Sequence, residues 1–184
     1  NHKSQITNHK LEILSVGRIA PVKNYETLLR AAKILLDEGF NFHVTMIGEP
    51  VFPQDFEYEK KIKNMVLELG LNQRVSFVGK VINKDLPQYY QSSDIFINLG
   101  KTGSLDKTIV EAMACELNVI SSNEAAVEFL PKELVVGGND SKELADKIKE
   151  ISGKNFGPEL RDYVSKNHSL NNLVERISNR IKNI

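Results

Sequence analysis

Leu11-Glu12-Ile13-Leu14-Ser15-Val16-Gly17-Arg18-Ile19-Ala20-Pro21-Val22-Lys23-Asn24 is the stretch from which the fold can be read. A short apolar run ends in a glycine. A cationic loop follows, and Asn24 stands as the N-cap of a segment in which Leu28, Leu29, Ala32, Leu35 and Leu36 recur at helical spacing. Gly39 closes that helix. The unit is strand, loop, helix, and the chain repeats it.

Phe42–Ile47 reads as a second strand ending at Gly48, followed by a helix over Glu57–Leu69. Val75–Val78, ending at Gly79, is the third strand, and Asp85–Gln91 a short helix. Ile95–Ile97 is the fourth strand, Thr108–Cys115 a helix and Val119–Ile120 the fifth strand. Glu124–Leu130 is a short helix, Leu134–Val136 a sixth strand, and Ser141 caps a helix with Leu144, Ala145, Ile148 and Ile151 inward. Strands alternating with helices through short loops imply an α/β fold: a Rossmann-like, doubly wound parallel sheet of about six strands. Its ligand belongs beyond the carboxyl ends of the strands, where Gly17, Gly48, Gly79 and Gly100 fall. From about residue 155 the pattern changes. Pro158–Lys166 and Leu170–Ile181, the latter capped by Ser169, read as tail helices packed on the same domain or on a neighbour. Residues 1–10 are a polar segment or interdomain linker, and 11–184 form one domain.

Composition removes several classes. The 184 residues carry 24 Lys and Arg against 24 Asp and Glu. A balanced charge argues against a nucleic-acid binder and a polybasic membrane arm. Cys115 is the single cysteine, so no internal disulfide forms, which suits a reducing cytosol. No apolar run approaches the length of a membrane span, and Asn1–Lys10 lacks the apolar core of a signal peptide. His2, His9, His43 and His168 are scattered without a second cysteine, so no zinc site is expected. His43 lies within a strand and Cys115 in an apolar helix, and both are expected to serve packing.

Two loops carry the candidate chemistry. Arg18 and Lys23 flank the loop from Gly17 to Asn24, where two cations and a helix start suit a diphosphate. On spacing alone, two solvated surface cations are the better reading. The second loop, Thr102-Gly103-Ser104-Leu105-Asp106-Lys107-Thr108, enters the helix bearing Glu111. Amides around Ser104–Thr108 make a second anion cradle. Glu111 is then either a carboxylate for sugar hydroxyls or part of an ordinary helix start.

Val16-Gly17-Arg18 with Lys23, Ile47-Gly48, Arg74-Val75-Ser76-Phe77-Val78-Gly79, Ser93-Asp94-Ile95-Phe96-Ile97 and Glu111-Ala112-Met113-Ala114-Cys115 occur in the order found in GT-B glycosyltransferases of family GT4. The chain resembles their C-terminal, nucleotide-sugar-binding domain over about residues 11–151. The resemblance implies retaining transfer of a sugar from a nucleoside-diphosphate sugar to an acceptor hydroxyl, in polysaccharide or glycolipid synthesis. It implies no cofactor and no bound metal. By matching position, Arg18 and Lys23 are the diphosphate pair, acting on the leaving group. Lys80 and Val81 frame the base. The loop Gly103, Ser104, Leu105, Asp106, Lys107 and Thr108 faces sugar and phosphate, and Glu111 contacts the ribose. Gly17 and Gly48 belong to the donor-side rim.

Two departures stand out. The family carries an acid at the position of Gly103, eight before Glu111. Backbone amides or Asp106 are the expected substitutes. Glu116 and Asn118 replace the glycine and proline of the family's turn. The family's N-terminal acceptor domain is expected as a missing partner, so the chain reads as a fragment or one half of a split enzyme that binds nucleotide weakly and transfers nothing alone. The implied location is cytoplasmic, with peripheral association at the inner membrane face. Three alternatives stay open: a GT-B-like epimerase or phosphorylase domain, a non-catalytic nucleotide-binding half, and a purely structural domain.

Overall fold

The computed structural model describes residues 10–168. Five parallel strands form one sheet: β1 Leu11–Val16, β2 Phe42–Ile47, β3 Val75–Gly79, β4 Ile95–Asn98 and β5 Asn118–Ser121. Their order is β3-β2-β1-β4-β5. Seven helices accompany them: α1 Tyr25–Asp37, α2 Pro53–Glu68, α3 Leu86–Gln91, α4 Lys107–Ala114, α5 Glu124–Val127, α6 Ser141–Ile151 and α7 Gly157–Asn167. Right-handed crossovers put α1 and α2 on one face and α4 on the other. α6 packs on α1, and α7 on α4. Both faces are therefore covered, which explains why β4 and β5 are buried at every position.

Strand order reverses at β1. The chain winds outward from β1 through β2 to β3, then returns to lay β4 against the other edge of β1. The β1–β4 seam is the topological switch point, and the crevice beyond its carboxyl ends is where such sheets hold ligands.

Several expectations are corrected. The sixth strand is a single parallel bridge, Ser121 to Val135, with the Val136 amide donating to the Ser121 carbonyl at 3.1 Å. Leu134 ends the 3-10 turn at Lys132–Leu134, which leaves only Val135 and Val136 before Gly137, too short a run for a ladder. α2 starts four residues before Glu57, at Pro53, because the buried Asp55 accepts from the Val51 and Phe52 amides at 3.3 and 3.1 Å. α5 stops at Val127, short of Leu130. Asp140, not Ser141, caps α6 by accepting from the Lys142 and Glu143 amides. Asn24 holds the N-cap position of α1 in a left-handed conformation, φ 50°, and its side chain leaves the helix amides to reach the Gly138 carbonyl at 2.5 Å. α7 covers the first expected tail helix. Leu170–Ile181 and Ser169 lie outside the described residues.

The turn after α4 explains one sequence departure. Glu116 sits at φ 61°, where a side chain crowds its own backbone. Glu116→Gly is expected to stabilise the domain by about 1 kcal/mol, read as a raised urea midpoint at unchanged slope. The exposed Arg161–Glu116 ion pair at 2.9 Å that it removes contributes little. Asn118 has a positive role: its amide donates to the Lys154 carbonyl at 2.8 Å, and its oxygen accepts from the Phe156 amide at 2.8 Å. It tethers the α6–α7 linker to β5. Cys115 is half-buried after α4, and burial pushes its thiol pKa up, as suits a packing role. His43 faces β3, its Nε2 2.8 Å from Ser76 Oγ.

Candidate functional site

The loops after β1 and β4 meet at the switch point. Lys101 donates its amide to the Val22 carbonyl at 3.3 Å, joining the two backbones. The Lys23 side chain then crosses the crevice. Its arm runs between Gly17 and Gly100, where an added Cβ would stand 3.2 Å from Lys23 Cε and 3.3 Å from Lys23 Cδ respectively. Larger residues at those positions would crowd the lysine's path. Its ammonium donates to Asp106 on the far loop.

Asp106 occupies the N-cap position of α4 but does not cap it. Its carboxylate is turned sideways, accepting from Lys23, from Asn98 Nδ2 at 2.9 Å and from Thr108 Oγ1 at 3.4 Å. Burial pushes the Asp106 carboxyl up, but the hydrogen bonds from Lys23 and Asn98 and the lysine's charge outweigh it. They hold the group below the usual carboxylate range. The amides that open α4 thus keep no side-chain cap, and a helix start in that condition favours an anion. Asn98 also accepts the Gly100 amide at 3.1 Å, fixing the end of β4.

Arg18 stands on the same loop but turns the other way. Its Nε lies 3.6 Å from the buried carboxylate of Asp55, and its guanidinium sits 4.7 Å from the Phe52 ring centroid. Arg18 and Lys23 therefore rise from one rim, facing the starts of α2 and α4 respectively. Gly48 joins the rim to β2: a Cβ there would fall 1.9 Å from the Gly17 carbonyl oxygen. Lys80 follows β3 and pairs with Glu49 at 3.0 Å, and Val81 is partly buried beside it. Glu111 lies one turn into α4. It accepts from the buried Tyr90 hydroxyl at 3.0 Å and pairs with Lys107 at 3.1 Å. Burial, with the Glu111 charge second, pushes the Tyr90 phenol up, so it stays a donor.

Structure brings Gly17, Lys23, Gly48 and Gly103 to Thr108 to one end of the sheet, with Glu111 behind them. Arg18 and Lys80 flank the β2 side. The loop from Thr102 to Ser104 has a support that the sequence reading missed. Asn123, fully buried, donates to the Ser104 carbonyl at 2.9 Å and the Gly100 carbonyl at 3.4 Å while its oxygen caps α5 at the Ala126 amide. The next residue, Glu124, accepts the Gly103 amide at 3.3 Å. An Asn before a short helix was a legible N-cap, but its second use across the loop was not.

A cleft of 810 Å³ opens at the opposite, amino ends of the strands, lined by Leu11, Ile95, Asn118 and Lys149 among others. It shares no residue with the switch-point loops. Among the described residues no group of three or more His, Cys, Asp or Glu is arranged to hold a metal ion, and no helix is long and apolar enough to cross a membrane.

Comparison with known proteins matches residues 1–170 to the family described as glycosyl transferases group 1. Mannosylfructose-phosphate synthase of Agrobacterium fabrum is 31% identical over 104 residues, which is 55% of this chain and 23% of that protein. Among solved structures, Anabaena Alr3699/HepE in complex with UDP superposes with a TM-score of 0.86 at 19% identity, over 95% of this chain and 49% of that one. The C-terminal domain of the group 1 glycosyl transferase LpcC from Francisella tularensis superposes with a TM-score of 0.78 at 22% identity, over 87% of both chains. The chain thus spans about half of the Anabaena structure and about a quarter of the Agrobacterium relative. The structural likeness establishes the two-layered wrapping of the sheet as a GT-B half.

Proposed function

The chain belongs to the glycosyl transferases of group 1, and on that premise we propose that residues 11–184 bind the nucleoside-diphosphate sugar for a retaining sugar transfer. In that reaction the bond from the anomeric carbon to the diphosphate breaks and a bond to an acceptor oxygen forms on the same face. The acceptor hydroxyl gives up its proton. The reading is supported chiefly by one observation: Lys23 spans the switch point from the loop after β1 to the uncapped start of α4. A cation and a set of helix amides stand together there, where charge on a departing diphosphate can be stabilised.

Arg18 and Lys23 are proposed to hold the diphosphate, the amides of Ser104–Thr108 to meet phosphate and sugar, Glu111 to meet the ribose, and Lys80 and Val81 to frame the base. Both cations already face carboxylates, so a diphosphate would share or replace those partners. No resident metal is invoked. An acceptor-side half, cytoplasmic placement, peripheral contact with a membrane face and a role in polysaccharide or glycolipid synthesis complete the proposal. Their support is the resemblance of the motifs. Relatives of greater length and a solved Anabaena relative in complex with UDP-glucose support the donor-side assignment.

Calorimetric titration with UDP, GDP and ADP tests it. Arg18→Ala and Lys23→Ala are each expected to weaken diphosphate binding by about 1–3 kcal/mol, and the parent nucleoside much less. Equal losses for both ligands would remove the phosphate assignment.

A further inference from the structure

Carboxylates crowd the ligand-side rim, and most are committed to a cation. Asp55 faces Arg18, Asp106 faces Lys23, and Glu49 faces Lys80. Asp106, the expected substitute for the acid absent at Gly103, is further held by Asn98 and Thr108. Three of its acceptor directions are taken inside the protein, both of the short contacts on one oxygen. Glu124 differs. Among the described residues its carboxylate has one polar contact, the Gly103 amide at 3.3 Å, and the side chain is otherwise exposed. An ionised carboxylate has about four lone-pair directions. One amide leaves it able to accept from further hydroxyl donors.

Two other features make the position more than a loose surface residue. A Cβ built on Gly103 meets nothing within 4 Å, so the space above the loop beside Glu124 is open. The loop below is fixed, because the buried Asn123 ties Gly100 and Ser104 to the start of α5. Thr102 Oγ1 also donates to the Ser104 carbonyl at 3.0 Å. Glu124 is thus carried on a supported segment beside the amides proposed to face the donor. Adjacent hydroxyls on a sugar are the donors such a carboxylate suits, and charge-assisted bonds are the stronger kind.

We propose that Glu124 accepts hydrogen bonds from hydroxyls of the donor's sugar ring, a specificity contact delivered from α5. This rests on the donor-site reading above. It concerns the sugar alone, since the diphosphate is repelled by a carboxylate.

The experiment compares UDP with UDP-glucose, and GDP with GDP-mannose, by calorimetric titration of the wild-type chain, Glu124→Gln and Glu124→Ala. Expected for the pair that binds is an approximately tenfold loss of nucleotide-sugar affinity in both variants. The matching diphosphate should hold within about twofold or bind slightly better, since a negative charge has been removed. Unchanged thermal midpoints would show that the loss is local. Equal weakening of diphosphate and nucleotide sugar, or no change in either, overturns the assignment while leaving the donor-site reading standing. Failure of the wild-type chain to bind any of the four overturns both.

Discussion

Gly48→Ala is expected to lower the stability of this domain by about 3 kcal/mol or more, and to abolish the proposed nucleotide binding with it. Gly48 follows β2 at φ 143°, in the half of the backbone map that side chains rarely enter. The larger cost is contact. The added Cβ would stand 1.9 Å from the Gly17 carbonyl oxygen and 2.8 Å from its carbon. Both are backbone atoms at the end of β1, and neither can rotate away. Gly17 is also held: its amide donates to the Ile47 carbonyl at 2.9 Å, and its carbonyl accepts from the buried Tyr25 hydroxyl at 3.2 Å. Relief must come from parting the loops after β1 and β2, which shifts Arg18 and Lys23 together. Urea unfolding measures the first effect and nucleotide titration the second. A variant with wild-type stability and affinity would show that the two loops do not meet as described.

Gly157→Ala carries the second large effect, about 2–3 kcal/mol. Here the backbone angle is ordinary and the approach alone decides. The Cβ would lie 1.9 Å from the Glu116 carbonyl oxygen and 2.6 Å from its carbon. α7 would have to back away from the turn that ends α4, loosening the buried Leu160 and Val164 and the stack of Phe129 on Tyr163, 4.8 Å between centroids. Because the clash is with main chain, adding Glu116→Gly cannot cure it. Thermal melts of the single and double variants check this. Full rescue by Glu116→Gly would place the conflict at the Glu116 side chain instead.

Particular residues show why some of this was legible in sequence. Leu28, Leu29, Ala32 and Leu35 repeat every three or four positions and face the sheet, so α1 was visible. The apolar runs at Leu11–Val16 and Ile95–Ile97 announced buried parallel strands. Leu134–Val136 carries the same kind of residues yet makes one bridge, because a 3-10 turn and Gly137 leave no length for pairing. Apolarity alone does not measure the room a strand has. The start of α2 had a readable signal, Pro53 with Asp55 two positions on, that periodicity overlooked.

The site divides in the same way. Loop positions followed from strand ends, since topology alone brings the segments after β1 and β4 together. Partners did not. Lys23 and Asp106 are 83 positions apart, and nothing local records that the aspartate turns from its own helix to a lysine. Asn123 and Glu124 reach loop 100–104 from 19 to 23 positions away, and their part in it became visible only in three dimensions.

The strand order has a consequence for how the molecule comes apart. β1 pairs with β2 through six residues, Leu11 to Val16, but with β4 through only Ile13 and Leu14. β1, β2 and β3 come from one continuous stretch of chain, whereas joining β4 to β1 closes a loop of some eighty residues, an entropic cost met late in folding. Any molecule lying across the rim touches both sides of this narrow junction. Occupancy would then act as a fastener between two semi-independent folding units, protecting amides on either side from solvent exchange in proportion to how tightly it is held.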